Sequence, residues 1–368
     1  EKDLEWVNVI RRRSHLHELP PLYTIRDVEQ TIGLFKAVDF DTPFKEIGPG
    51  IEMVFRDAGH ILGSASVHFE INENGKVYKI GFTGDIGRPN MPLTHDPNVL
   101  RELDLLVMES TYGNRLHSSY ENVEQEVADI ICQTSAAGGK VIIPSFAVGR
   151  TQILVYVLHK LFNQGRVPDL PVYVDSPLAC DATNIFRSYP EYLDRETNRV
   201  FLKYNEDPFG FGRLTYVHDV EGSKKLNNLA FPHVIISGSG MAEGGRILHH
   251  LRNNIDNPKN LILFVGYAAK ETLARKIMDG NHTVKIFGEE HTVRSKIKVL
   301  DAFSAHADRR NLLDYVSLNS PSKLKHIFLV HGDLEQAMSL KDGIRSKGFE
   351  NVHFPAPGEI FTYNKDTW

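Results

Sequence analysis

The sequence predicts an α/β protein: a β-rich section, then a parallel α/β section, then a short mixed return. Two patterns carry that reading. Apolar residues alternate with period two at 51–55 and 65–71, as in strands with one covered face. Beyond about residue 118, short continuous apolar runs alternate with helix-like stretches, as in parallel strands buried on both sides. A third observation sets the class around them. With 41% hydrophobic and 24% charged residues among 368, the chain is an ordinary globular mix, which excludes a disordered chain, a collagen or a coiled coil. The length fits roughly two domains, or one large α/β domain carrying an insertion.

In order, the first fifty residues read as a helix, a break at Pro20-Pro21, and a second helix ending near Phe40. Strands follow at 51–55, 65–71 and 76–82, and the region from 51 to 108 reads as antiparallel. Asn74-Gly75 supplies the two positive-φ positions of a tight hairpin turn. Ser118 and Glu121 have the spacing of a capping box, predicting a helix from there to about 136. Strands at 140–144, 171–174, 233–237 and 261–265 alternate with helices at 150–163 and 243–254. The return, from about 288, carries a strand at 295–300, a helix at 308–316, a strand at 326–330 and a long helix from Leu334.

Net charge is −5, so a chain-wide basic surface for nucleic acid is excluded while a local basic groove is not. Two cysteines, Cys132 and Cys180, exclude a disulfide framework and point to a reducing, cytoplasmic setting. No apolar run approaches the roughly 20 residues that a bilayer-crossing helix needs, so no membrane partner is expected.

The chemistry concentrates where strands run out into loops. Ala58-Gly-His60-Ile-Leu-Gly-Ser-Ala65, Phe82-Thr-Gly-Asp85-Ile-Gly-Arg88, Val107-Met-Glu109-Ser-Thr-Tyr-Gly113, Phe303-Ser-Ala-His306-Ala-Asp308 and Phe328-Leu-Val-His331-Gly-Asp333 each present a histidine or a carboxylate there. Imidazoles and carboxylates are the donors a borderline ion such as zinc takes. A carboxylate such as Asp85 is able to bridge two ions that share a water and clamp a phosphate. Taken singly, His68, His233, His249 and His326 read as structural histidines.

Together these segments resemble the metallo-β-lactamase fold, and specifically its β-CASP nuclease branch. The resemblance runs from about Leu22 to the end of the chain. It implies an αββα sandwich with an inserted parallel α/β β-CASP domain, divided as 1–113, 114–288 and 289–368. It implies metal ligands His60, Asp85 and His331, and catalytic residues Asp85, Glu109 and His306. His306 would serve as general acid, oriented by Glu109. In intact family members the site holds two zinc ions. The histidine at 331 favours RNA over DNA, so single-stranded RNA is the expected substrate, cut endonucleolytically and also from the 5′ end. Homodimerisation through the C-terminal region is a further implication.

Two glycine-rich loops end strands and open helices: Pro144-Ser-Phe-Ala-Val-Gly-Arg150 and Ser237-Gly-Ser-Gly240-Met-Ala-Glu-Gly-Gly-Arg246. Bare amides at a helix start attract phosphate, and arginine adds a fork of donors. By the resemblance they line the RNA cleft, with Ser145, Arg150, Gly238, Ser239, Gly240, Met241 and Arg246 as contacts. Ser304 joins them through its place beside His306. The second loop is not a dinucleotide fingerprint, because Glu243 stands where the third glycine belongs. Phe146, Met241 and Tyr267 are candidates for base contact, with core packing expected for each. Glu271 and Ala274 stand where relatives commonly carry glycine.

The family's His-x-His-x-Asp-His signature does not occur in these residues. The one His-x-His, His15-Leu-His17, is followed by Glu18-Leu-Pro and has no strand before it. The expectation is therefore a lactamase-like domain lacking its first part, with three ligands and at most partial zinc occupancy, inactive on its own. Two other readings compete with a zinc ribonuclease. One is a non-catalytic scaffold subunit of an RNA-processing complex, which the retention of Asp85, Glu109, His306 and His331 opposes. The other is a small-substrate metallo-hydrolase, which the large insertion opposes.

Overall fold

The computed structural model describes residues 2–204 and 206–364. It contains two compact units, Glu1–Thr42 and Pro43–Trp368. The first holds helices α1 (Lys2–Arg13) and α2 (Ile25–Ile32). The Asp27 carboxylate accepts the Thr24 N–H at 2.7 Å, which fixes the start of α2. The helix stops at Ile32, before the expected end near Phe40, with Gly33 as its C-cap.

The second unit begins with β1 (Phe44–Gly48), β2 (Ile51–Asp57), β3 (Ala65–Glu73), β4 (Lys76–Phe82) and β5 (Leu105–Glu109). It continues through α3 (Val123–Ala136), β6 (Val141–Pro144), α4 (Arg150–Asn163), β7 (Val172–Val174), α5 (Pro177–Ser188), α6 (Arg195–Tyr204), β8 (Leu214–Tyr216) and α7 (Val220–Asn227). Next come β9 (Val234–Ser237), α8 (Ile247–Asn254), β10 (Leu261–Phe264), α9 (Leu273–Met278), β11 (Thr283–Ile286), β12 (Glu289–Thr292) and β13 (Lys296–Val299). The chain closes with α10 (Arg309–Ser317), β14 (His326–Val330), α11 (Leu334–Ser346) and β15 (Val352–His353).

Two main sheets result. The first runs β1-β2-β3-β4-β5-β14-β15, antiparallel through β4 and parallel beyond it. The second runs β13-β10-β6-β9-β7-β8 and is parallel throughout. The hairpin stands as expected, with Asn74 at φ 53° and Gly75 at φ 81°. β5 is not antiparallel to β4. The long segment 83–104 crosses over, so Ile80 pairs with Leu105 in parallel register. β13 joins the six-stranded sheet beside β10. α3 starts at Val123 behind a single 3-10 turn, with Asn122 rather than Ser118 at its cap. The Glu121 side chain of the expected capping box lies outside the described residues. α8 starts at Ile247, four residues later than expected, because Gly244-Gly245 folds back: a Cβ on Gly245 would lie 2.5 Å from the Gly238 carbonyl oxygen.

The central strands β6, β9 and β10 of the six-stranded sheet are buried on both faces. On β6, Ile143 packs with α3 and α4 (Ile131, Leu154), while Ile142 packs with α8 and α9 (Leu251, Ile277). That is what the continuous apolar runs require. On the seven-stranded sheet Leu106, Met108, Ile327 and Leu329 pack beneath Leu312 of α10 and Leu340 of α11.

Just ahead of β9, His233 is 1% exposed, and its Nδ1–H donates to the Phe231 carbonyl at 2.7 Å. Burial pushes its pKa down to about 4, against that hydrogen bond. The unfolded chain therefore binds this proton more readily than the folded one. Its contribution, about 3 kcal/mol for a fall from 6.5 to about 4, is present above pH 6.5 and lost as the pH drops toward 4. Urea denaturation across that window is expected to show the loss in the wild type and a flatter profile in His233→Gln. Parallel profiles would refute it.

Candidate functional site

Strand register assembles the site. β4, β5 and β14 are parallel neighbours, and their C-terminal ends lie side by side, where α/β sheets carry their ligands. Val330 pairs with Glu109, so the residue after Val330, His331, emerges next to Ser110 and Thr111. The Ser110 hydroxyl donates to the Val330 carbonyl at 2.9 Å and the Thr111 hydroxyl to the His331 carbonyl at 2.9 Å. These bonds help hold His331 at φ 51°, a left-handed conformation rare for a residue with a side chain.

His60 comes from the loop between β2 and β3. The Ser64 hydroxyl oxygen accepts its N–H at 3.0 Å, and the Asp57 carboxylate accepts the Gly59 N–H at 2.8 Å. Gly59 has φ 66°, and a Cβ there would lie 2.5 Å from the His95 carbonyl oxygen. The loop carrying His306 docks onto segment 86–88: Ala307 N–H donates to the Ile86 carbonyl at 2.7 Å and Arg88 N–H to the Ala305 carbonyl at 3.2 Å. Gly87 allows the convergence, because a Cβ there would fall 1.9 Å from the Gly59 oxygen.

The five residues singled out at strand ends thus come together. His306 Nδ1 lies 3.1 and 3.2 Å from the two Glu109 oxygens. Glu109 is 1% exposed and also accepts the Ile86 N–H at 2.5 Å. Asp85 stands between two imidazoles, with Oδ2 3.8 Å from His60 Nε2 and Oδ1 2.9 Å from His331 Nδ1. The His60 and His306 rings are 4.4 Å apart. Ligating atoms of His60, Asp85 and His306 all lie within 4.8 Å of one another, as do those of Glu109, His306 and His331. Burial, with His306 adding to it, pushes the His60 pKa down to about 4, so the ring stands neutral. Burial would lower His306 too, but the hydrogen bond and charge of Glu109, with Asp85, outweigh it and raise the pKa. Neutral imidazole beside carboxylate is a donor set that fits zinc.

The first glycine-rich loop reaches this cluster. A Cβ on Gly149 would meet Ile61 at 2.9 Å, one residue from His60. Behind that loop the Arg150 Nε and Nη1 are sealed from solvent without a hydrogen-bond partner. Burial pushes the Arg150 pKa down to about 10; Tyr112 and Tyr120 oppose this and Arg88 adds to it. Ser145 is buried and accepts the Thr151 hydroxyl at 3.1 Å. Ser304, also buried, hydrogen-bonds the Tyr112 hydroxyl.

The second loop abuts the first through Gly240, whose Cβ would lie 2.8 Å from the Phe146 ring. Its own folding uses part of its polar surface. Ser239 N–H donates to the Gly244 carbonyl at 3.1 Å, Ile247 N–H to the Gly238 carbonyl at 3.1 Å, and the Met241 carbonyl accepts the Ala274 N–H at 3.2 Å. Arg246 departs from the expected phosphate contact. Its Nη1 donates to buried Asp175 at 2.8 Å and to the Val217 carbonyl at 3.0 Å, and its Nη2 to the His218 carbonyl at 2.7 Å. Asp175 also meets His250 Nε2 and the Ser223 hydroxyl, each at 2.6 Å. Arg246 therefore braces the loop from behind, its charge compensated inside the domain.

Two neighbours of the site escaped the sequence reading. Tyr112 packs 4.3 Å from the His117 ring and 6.0 Å from His306. It sits inside the Glu109–Gly113 motif, which gave the available signal. His117 carried none: only folding brings it against Tyr112 and its backbone N–H to Asp308 at 3.1 Å.

A parallel-edged sheet holding a histidine–carboxylate cluster, joined to a parallel α/β insertion, fits a metallo-hydrolase. Comparisons with known proteins narrow the class. The Beta-Casp domain matches residues 151–277, and the Zn-dependent metallo-hydrolase RNA specificity domain matches residues 290–355. The chain is 34% identical over 330 residues to Ribonuclease TTHA0252 of Thermus thermophilus, covering 90% of this chain and 73% of that protein. It is 35% identical over 339 residues to transcription termination factor FttA of Pyrococcus abyssi, covering 89% of this chain and 51% of the relative. For FttA of Thermococcus kodakarensis the identity is 34%, with 91% and 52% covered. The chain belongs to the β-CASP family of metallo-β-lactamase-fold RNA nucleases. It spans about three-quarters of the ribonuclease and about half the length of the termination factors.

Proposed function

We propose that this chain carries the catalytic cleft of a zinc-dependent ribonuclease that hydrolyses phosphodiester bonds in single-stranded RNA, in RNA processing or decay. The observation that carries the reading is the buried Glu109 gripping His306 at 3.1 Å, beside an Asp85 carboxylate whose oxygens face two different imidazoles. His60, Asp85 and His331 would hold the metal. A bound zinc would polarise a phosphoryl oxygen and lower the pKa of water at the site. The rest falls to the chain's own side chains. Glu109 fixes His306 with Nδ1–H toward the carboxylate, which leaves Nε2 to protonate the departing 3′-oxygen. Arg150 offers charge to a neighbouring phosphate. The likeness to the archaeal termination factors favours transcripts as the RNA.

These 368 residues contain no His-x-His-x-Asp-His. As an isolated polypeptide the chain is therefore expected to take up at most one zinc and to cleave poorly. The full-length gene product, given labelled single-stranded RNA, is expected to cleave with zinc present and to stop when the metal is chelated. Cleavage that persists in chelator, or none with the metal content verified, would refute the reading.

A further inference from the structure

Core packing is the expected role of Phe146, and the structure does not give it that role. The residue is 43% exposed, and Val148 beside it is 41% exposed. The backbone beneath the ring is nonetheless fixed. The Phe146 carbonyl accepts the Thr151 hydroxyl at 2.7 Å and the Thr151 N–H at 3.3 Å. One edge of the ring rests on Gly240, where any side chain would collide with it. A lone exposed phenylalanine needs no explanation. This one forms part of the wall of the cavity that also holds the Arg150 guanidinium, with Gly266 and Tyr267 opposite. The cavity is about 10 Å³, room for one water or one phosphate oxygen and not for a base. The cavity has room for a single oxygen of an anion at Arg150, and Phe146 forms part of its wall, so the remainder of such a molecule lies outside it.

We propose that Phe146 is a base-stacking platform: the nucleotide whose phosphate oxygen meets Arg150 lays its base on the Phe146 ring. The inference rests on the RNA reading above and adds a single-strand, sequence-tolerant subsite to it. Every base has a face that stacks on an aromatic ring, and only an unpaired base is free to splay out onto one. Stacking of this kind is worth about 1–3 kcal/mol per base, or roughly 5- to 150-fold in affinity.

The test is fluorescence anisotropy of the full-length protein with a labelled single-stranded RNA, and with the same RNA made fully abasic, over a salt series. Phe146→Leu, which keeps an apolar side chain without a ring, is expected to bind the normal RNA about tenfold more weakly. Phe146→Tyr is expected to match the wild type. Both variants should bind the abasic strand like the wild type, with the salt slope unchanged, because no phosphate contact is lost. Circular dichroism checks the fold, and the Tyr variant controls for any general effect of substitution at this position. Normal RNA binding by Phe146→Leu, in a wild type that does bind RNA, would overturn the stacking role and leave the nuclease reading intact. An equal loss on the abasic strand would overturn it as well. Absence of RNA binding by the wild type would count against the nuclease reading itself.

Discussion

Arg150→Met is expected to make the protein more stable and its RNA binding weaker. Two nitrogens of this guanidinium are sealed without an acceptor. Arg88, a like charge, acts on it and pushes its pKa further down; the opposing influences are the hydroxyls of Tyr112 and Tyr120. Burial brings the pKa down to about 10, which still leaves the group cationic at neutral pH. A buried donor without a partner costs about 1–3 kcal/mol, and more when charged, and an apolar side chain of similar length removes that penalty. The gain should appear as a higher urea midpoint, by about 1–3 kcal/mol when extrapolated to water. On the other side, hydrogen bonds from a charged donor are worth about 1.5–3 kcal/mol, so affinity for single-stranded RNA should fall roughly 10- to 150-fold, with a shallower salt slope. Arg150→Lys should recover part of the affinity, since it restores charge without the planar fork. A variant that loses stability and binds RNA normally would show that Arg150 is a structural residue whose partner lies within the fold.

Much of this was legible in the sequence because the candidate site residues stand at the ends of short apolar runs. Such runs identify parallel strands, and parallel strands gather their C-terminal ends on one edge. Asp85, Glu109 and His331 followed from that rule and from their motifs; His60, after antiparallel β2, and His306, after β13 of the other sheet, followed from their motifs alone. Pairing of strands was harder to read. A run such as 105–109 fits a parallel or an antiparallel neighbour equally well, and the length of the 83–104 crossover decided it. β13 reads as a strand but carries no mark of which sheet it joins. Three-residue strands such as β7 and β8 are too short for periodicity to resolve. At the site, spacing could place Arg246 near a glycine loop but could not reveal Asp175, 71 positions away, which takes its charge. The same limit hid His117, whose importance lies wholly in what it packs against.

His306→Ala is expected to lower RNA cleavage by the full-length gene product roughly 10²- to 10⁴-fold, the usual contribution of a positioned general acid. RNA binding and zinc content should stay unchanged. Cleavage close to that of the wild type, with metal content confirmed, would remove His306 from the reaction. Glu109→Gln separates orientation from protonation. The Glu109 carboxylate accepts from both Ile86 N–H and His306 Nδ1–H. A glutamine whose oxygen keeps the Ile86 bond turns its NH₂ toward Nδ1. That nitrogen must then accept, and the imidazolium form loses its stabilisation. Since Glu109 raises the His306 pKa against the effect of burial, its loss lowers it. A general acid works only while protonated, so the falling, alkaline limb of the cleavage profile should move to lower pH in Glu109→Gln, with RNA binding unaffected. If the variant cleaves more slowly with the limb unmoved, Glu109 holds the ring in place without tuning its proton. If the limb moves and binding holds, the pair acts as an orienter and an acid joined across 197 positions of sequence by the docking of one loop onto segment 86–88.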